Sequence, residues 1–63
     1  MRNDYLRSKV RNFIRENGIK HSFIAKELEI SEAMLSMFLS KKRELGDKNK
    51  CKLINFLQEK GAI

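Results

Sequence analysis

Between Ile24 and Arg43 the chain reads IAKELEISEAMLSMFLSKKR, two short apolar-periodic runs separated only by Glu29-Ile30-Ser31. No other stretch narrows the fold as much. A helix of about nine residues is marginal alone in water, because nucleation costs more than so few hydrogen bonds return. Two such helices therefore exist only by packing on each other and on further helices. The junction is too short for independent movement, and Ile30 reads as an apolar plug beneath it. Helices joined in this way cross at a steep angle, in a helix-turn-helix arrangement.

The rest of the chain supplies the helices they pack on. There is no proline, and the three glycines, Gly18, Gly46 and Gly61, each follow or separate a helix-like run. No β-branched alternation with turn pairs indicates a strand. Helix 1 is expected from about Asp4 to Asn17, capped by Asn3 or Asp4 and stopped by Gly18. Its inner stripe is Leu6, Val10, Phe13 and Ile14, with Arg7, Lys9, Arg11 and Arg15 on the flanks and back. Helix 2 begins near His21 or Ser22 and ends at Glu29, with Ile24, Ala25 and Leu28 inward and Phe23 at the edge. Helix 3 begins after Ser31, a good N-cap residue, and runs to about Ser40 with Leu35, Phe38 and Leu39 inward. Helix 4 spans roughly Asp47 to Lys60, capped by Asp47 and stopped by Gly61. Its expected inner face is Cys51, Leu53, Ile54 and Leu57. The expectation is an all-α, compact four-helix domain covering residues 1–63.

Composition then removes whole classes of function. A chain of 63 residues makes one small domain, which buries only about 60% of the surface its unfolded chain exposes. No apolar run approaches the roughly 18 residues that span a bilayer. No helix joins a broad apolar face to Trp or clustered Phe, so a membrane surface is not an expected partner. The start, MRNDYLRSKV, carries Asn and Asp where a signal peptide needs an apolar block, so a cytoplasmic protein is expected. Cys51 is the only cysteine, with no second thiol to pair with and no neighbouring His for a zinc site. It reads as a small half-buried side chain. His21, the only histidine, is far from it in sequence, and nothing else supports a Cys/His nucleophile. No metal, nucleophile or phosphate-loop constellation appears, and the core is too small to shelter a pocket. An enzyme, a cofactor and a small-molecule ligand are all unexpected.

What remains is charge. Fourteen Lys and Arg against eight Asp and Glu give a net charge of +6, a balance that favours a polyanionic partner. Much of the excess lies between Lys41 and Lys52, directly after helix 3. Winding helix 3 at about 100° per residue with Leu35, Phe38 and Leu39 inward turns Ala33, Ser36, Met37 and Ser40 outward, with Glu32 at the N-terminal rim. That face has no Lys or Arg, whereas 35% of the chain is charged. Small uncharged side chains let a helix approach another surface closely, and Lys41, Lys42 and Arg43 stand just past its end. An uncharged strip flanked by cations suits a helix in the major groove of DNA, where base edges are read and phosphates neutralised.

On these residues the segment HSFIAKELEISEAMLSMFLSKKREL resembles the helix-turn-helix of the Cro/phage-repressor (XRE) family. The matching features are Ile24, Ala25 and Leu28 in the first helix, Ile30 in the turn, and Leu35 and Phe38 in the second helix. Ala25 stands where that family keeps a small residue between the two helices. Ser31, the pair Leu35-Ser36, Leu39 and the basic segment that follows are also family-like. The match covers about half the chain directly, and the helices on either side agree with the family's compact lambda-repressor-like domain. Two positions depart from the pattern. Glu29 replaces the usual turn glycine and must take a left-handed backbone or shift the turn. Lys20 replaces the usual Ser or Thr cap, and Ser22 is the alternative cap.

The resemblance implies a sequence-specific regulator of transcription, in the manner of a repressor. It implies that Glu32, Ala33, Ser36 and Met37 face base edges, with Ser31 and Ser40 at the ends of that face. Ser36 can donate to or accept from any base, Ala33 and Met37 suit thymine methyls, and Glu32 suits a cytosine amino group. For Glu32 a carboxylate favoured by the helix dipole remains an equal reading. Backbone contacts are implied for His21 and Ser22 at the start of helix 2 and for Lys41, Lys42 and Arg43 after helix 3. Lys48 is a weaker candidate. One short helix reads too few base pairs to specify an address, and the family binds near-palindromic sites as a two-fold homodimer. Phe56, read as outward on helix 4, and Ile63, seven residues later, form the candidate dimer patch. The other class of function is a protein-interaction module, antitoxin-like or antirepressor-like, using the same fold to bury Met34, Met37 and Phe56 against a partner.

Overall fold

In the computed structural model, which describes residues 2–63, the apolar runs become four α-helices. They are α1 (Asn3–Asn17), α2 (His21–Leu28), α3 (Glu32–Leu39) and α4 (Asp47–Glu59). No strand occurs among the described residues. α2 packs on α3 and α4, and α1 packs on α3 and α4, so the two eight-residue helices are braced from both sides. That bracing offsets the nucleation cost neither short helix can meet alone. The fold measures 24 × 21 × 19 Å.

The core is a single cluster. Leu6 and Val10 come from α1, Ile24, Ala25 and Leu28 from α2, and Leu35, Phe38 and Leu39 from α3. Leu53, Phe56 and Leu57 come from α4, and Leu45 from the loop before it. Each fully buried Leu or Phe stabilises the fold by about 1.5–3 kcal/mol. Ile30 is half-buried against this cluster, beneath the α2–α3 turn.

All four helices close with a left-handed residue, and two of those residues are not glycine. Gly18 (φ 61°), Glu29 (φ 59°), Lys41 (φ 67°) and Gly61 (φ 71°) follow α1 to α4 in order. At Glu29 and Lys41 the following amide reaches back five residues. Ile30 N donates to Ala25 O at 2.9 Å and Lys42 N to Met37 O at 2.9 Å. Glu29 N and Lys41 N each reach back three, at 3.1 and 3.2 Å. This is the Schellman closure, which satisfies carbonyls a helix end would otherwise leave open. Glu29 therefore takes the left-handed conformation and the turn does not shift.

The helix starts depart from the sequence reading more than the ends do. Ser31 caps α3 as expected, its Oγ accepting from Met34 N at 3.0 Å. α1 begins at Asn3, with Arg2 at the N-cap position and no side-chain cap bond. Neither Asn3 nor Asp4 is the cap. Asn3 Oδ1 accepts instead from Leu45 N at 2.9 Å, tying the start of α1 to the loop before α4. α2 begins at His21 with Lys20 at the N-cap, so Ser22 does not replace the missing cap. α4 is entered through Gly46, and Asp47 is its first residue, where a carboxylate favours the dipole without capping.

Four placements correct the sequence reading. Arg7 is not a surface flank residue: it is only 4% exposed. Its Nε donates to Phe38 O, its Nη1 meets Asp4 Oδ1 at 2.6 Å, and its guanidinium lies 4.8 Å from the Phe38 ring centre. Cys51 is exposed rather than half-buried on the inner face. Phe56 is 6% exposed, its ring meeting Phe13 edge-on at 5.7 Å, so it is core. Ile63 is half-buried against the same cluster. Phe56 and Ile63 therefore form no exposed dimer patch.

Candidate nucleic-acid interface

The outward strip of α3 follows from its inward one. Burial of Leu35, Phe38 and Leu39 leaves Glu32, Ala33, Ser36 and Ser40 exposed and Met37 half-buried. These residues share one solvent-facing side of an eight-residue helix, and the single carboxylate is at its first position. By helical geometry Glu32 and Ser36 form one edge of the strip and Met37 the other, with Ser40 and Ala33 between them. Beyond Met37, Met34 is half-buried with its sulfur 3.8 Å from Asn49 Nδ2 on α4.

The C-terminal end of α3 is held by arginines from α1. Arg7 donates to Phe38 O, and Arg11 Nη1 donates to Leu39 O at 2.9 Å. Cations suit a helix C-terminus because the last carbonyls carry partial negative charge. The two bonds fix how far α3 stands out from the body of the domain. The chain then turns through left-handed Lys41, and Lys42 and Arg43 follow as exposed cations. Their amides both return to Met37 O, at 2.9 and 3.2 Å. The basic loop is thus hydrogen-bonded to the end of the strip it flanks.

The residues expected at the phosphate backbone separate into two groups. His21, first in α2, lines an open cleft between α1, α2 and α3, together with Ser36 and Ser40 of the strip. Lys41 lines the neighbouring depression on α1. Ser22, one residue after His21, opens elsewhere, onto a depression formed with Ile19, Lys20, Phe23 and Lys26. Ser22 therefore does not join the surface that His21 shares with α3. Ser31 is exposed with its hydroxyl oxygen engaged in the cap, and Ser40 Oγ donates to Met37 O at 3.2 Å. Lys48 is exposed in the first turn of α4.

Two residues that helical spacing alone puts on the back of α1 also reach this surface. Arg11 and Arg15 line both the cleft shared with His21 and the depression shared with Lys41. Their spacing of four sets them on one flank of α1. Only the packing of α3 against that flank makes it part of the same surface.

The largest apolar exposure near α2 is Phe23, 45% exposed and tilted over Phe56 at 6.5 Å between ring centres. It belongs to the depression that Ser22 opens onto. No helix among the described residues is long and apolar enough to cross a membrane. Comparison with known proteins found no matching protein-family model, no matching curated protein and no matching solved structure.

Proposed function

We propose that the protein is a sequence-specific double-stranded DNA-binding regulator of transcription, acting as a repressor by occupying its operator. The observation that carries this reading is the strip Ala33, Ser36, Met37 and Ser40: solvent-facing, without a cation, and followed directly by the exposed cations Lys41, Lys42 and Arg43. A helix that meets only water has no need to keep such a face uncharged in a chain of this charge density. In the major groove the same face brings small side chains to base edges, while the flanking cations meet phosphates. The likeness of residues 21–45 to the Cro/phage-repressor helix-turn-helix points the same way.

Under this reading Ala33, Ser36 and Met37 touch bases, and Glu32 does so at the rim. His21, Lys41, Lys42 and Arg43 touch the backbone. Two copies bind a near-palindromic site, each α3 entering successive major grooves about 34 Å apart. Selection of bound duplexes from a random pool tests the reading. A two-fold symmetric consensus is expected, and recovery of unenriched sequence overturns the claim of specificity.

The second reading, a protein-interaction module of antitoxin-like or antirepressor-like kind, is favoured by one feature. Phe23 and Ile19 leave an apolar depression beside Lys20 and Lys26, away from the α3 strip. Phosphate neutralisation makes affinity fall steeply with salt, whereas an apolar protein contact changes little.

A further inference from the structure

We infer that the cleft between α1, α2 and α3 is a second oxyanion site, in which Arg11 and Arg15 seat backbone phosphates of the same duplex that α3 reads. This rests on the DNA-binding reading and adds two contacts, on a helix to which that reading gives no role. Arg11 and Arg15 stand one helical turn apart, a rise of about 6 Å along α1. Both side chains are exposed, and each is steadied by a hydrogen bond. Arg11 Nη1 donates to Leu39 O at 2.9 Å, and Arg15 Nη2 donates to Asn12 Oδ1 at 3.0 Å. Each of these bonds uses one of a guanidinium's five donors, and a planar fork is suited to two phosphate oxygens at once.

The surroundings select for an anion. The described lining residues of the cleft carry no carboxylate, and they include His21. In the adjoining depression Asp4 is already engaged by Arg7 at 2.6 Å, while Lys41 continues the line of cations past Arg11 and Arg15. Ile14 and Leu39 give the cleft an apolar wall, beside which a charge interaction is less screened than in open water. The cleft is open, and its volume of about 500 Å³ far exceeds the roughly 10–15 Å³ that one water needs, so a polyatomic group fits.

Position selects the source of that anion. Ser36 and Ser40 belong both to the outward strip of α3 and to the wall of the cleft. A strand whose base edges reach Ser36 carries its sugar-phosphate chain along that wall, over the two arginines. α1 then fixes how deeply α3 enters the groove: it holds the helix by its C-terminal carbonyls and grips the DNA beside it.

The test is binding of the full chain to a fluorescently labelled duplex across a series of salt concentrations. Compared are the wild type, Arg15→Gln, the Arg11→Gln/Arg15→Gln double variant, and Lys60→Gln at the far end of α4 as control. Each phosphate contact removed is expected to make the slope of log affinity against log salt shallower by about 0.9. One contact is lost in Arg15→Gln and two in the double variant, with the preferred sequence unchanged and the Lys60→Gln slope equal to wild type. Arg11 also holds Leu39 O, so if the double variant fails to fold, Arg15→Gln alone decides, since its one bond is to an exposed neighbour. Arg15→Gln with the wild-type slope overturns the inference and leaves the DNA-binding reading standing. An altered base preference in Arg15→Gln overturns the assignment to phosphate. A wild-type chain that binds no duplex overturns both.

Discussion

Glu29 and Arg7 show how much single side chains decide in a domain this small. Glu29 holds a left-handed backbone at φ 59°, a conformation that costs an L-residue about 1–2 kcal/mol. Glycine would relieve that strain and return about half of it through the greater freedom of the unfolded chain. Glu29→Gly is therefore expected to stabilise the fold by about 0.5–1 kcal/mol and raise the thermal midpoint by about 4 °C. A circular-dichroism melt checks this. A lowered midpoint would mean that the 3.8 Å ion pair between Glu29 and Lys52 outweighs the strain. Such an exposed pair is normally worth well under about 1 kcal/mol. Arg7 is the opposite case, a buried cation whose bond to Phe38 O ties α1 to α3 while Asp4, on its own helix, balances its charge. Arg7→Ala removes those bonds and empties the space, at a cost of about 2–4 kcal/mol. A domain of this length holds only about 3–5 kcal/mol. The variant is expected to be largely unfolded near body temperature, and a melt unchanged from wild type would contradict the part given to Arg7.

At the scale of the element, α3 divides its work between an edge that reads and an end that grips. Ser36→Ala or Met37→Ala is expected to change which duplex is preferred, by about 1 kcal/mol at one base pair. Arg43→Ala is expected to weaken binding to all duplexes about equally, by up to about tenfold near physiological salt. Competition binding against a set of single-base variants separates the two patterns. A shift of preference with Arg43→Ala would show that bases and backbone have been assigned the wrong way round. The helices themselves are legible in sequence to within about a residue, because periodicity and a left-handed stop are local signals. The caps are less so, because their side chains have distant partners: Asn3 serves Leu45, forty-two positions away. Arg7 and Phe56 mislead for a related reason. A residue on the flank of a stripe is buried or exposed according to which helix arrives there, and Phe13 and Phe23 each bring a ring against Phe56. Cys51 is a different case, because the reading that groups it with Leu53, Ile54 and Leu57 on the inner face goes against spacing, and the side chain is exposed. The winding that turns Leu53 inward puts Cys51 about 160° away from it.

For the whole molecule, the two sides of α2 separate two kinds of surface. His21, Arg11, Arg15, Ser36 and Ser40 converge on one side, with Lys41 beyond, and the lining there is basic and hydroxylic. On the other side Ile19, Phe23 and Lys26 form the apolar depression. The excess of six positive charges attracts any polyanion from a distance, but it does not choose the face that makes contact. That choice is only half legible in sequence. The strip on α3 can be wound from spacing alone, whereas the part played by α1 depends on which of its flanks α3 lies against. The measurement that bears most directly on the central claim is a map of amide NMR signals during titration with a short mixed-sequence duplex at low salt. Changes are expected at Ala33, Ser36, Met37 and Ser40 and along Lys41 to Arg43, with His21, Arg11 and Arg15 following. Changes confined to Ile19, Phe23 and Lys26, with α3 silent, would contradict the account.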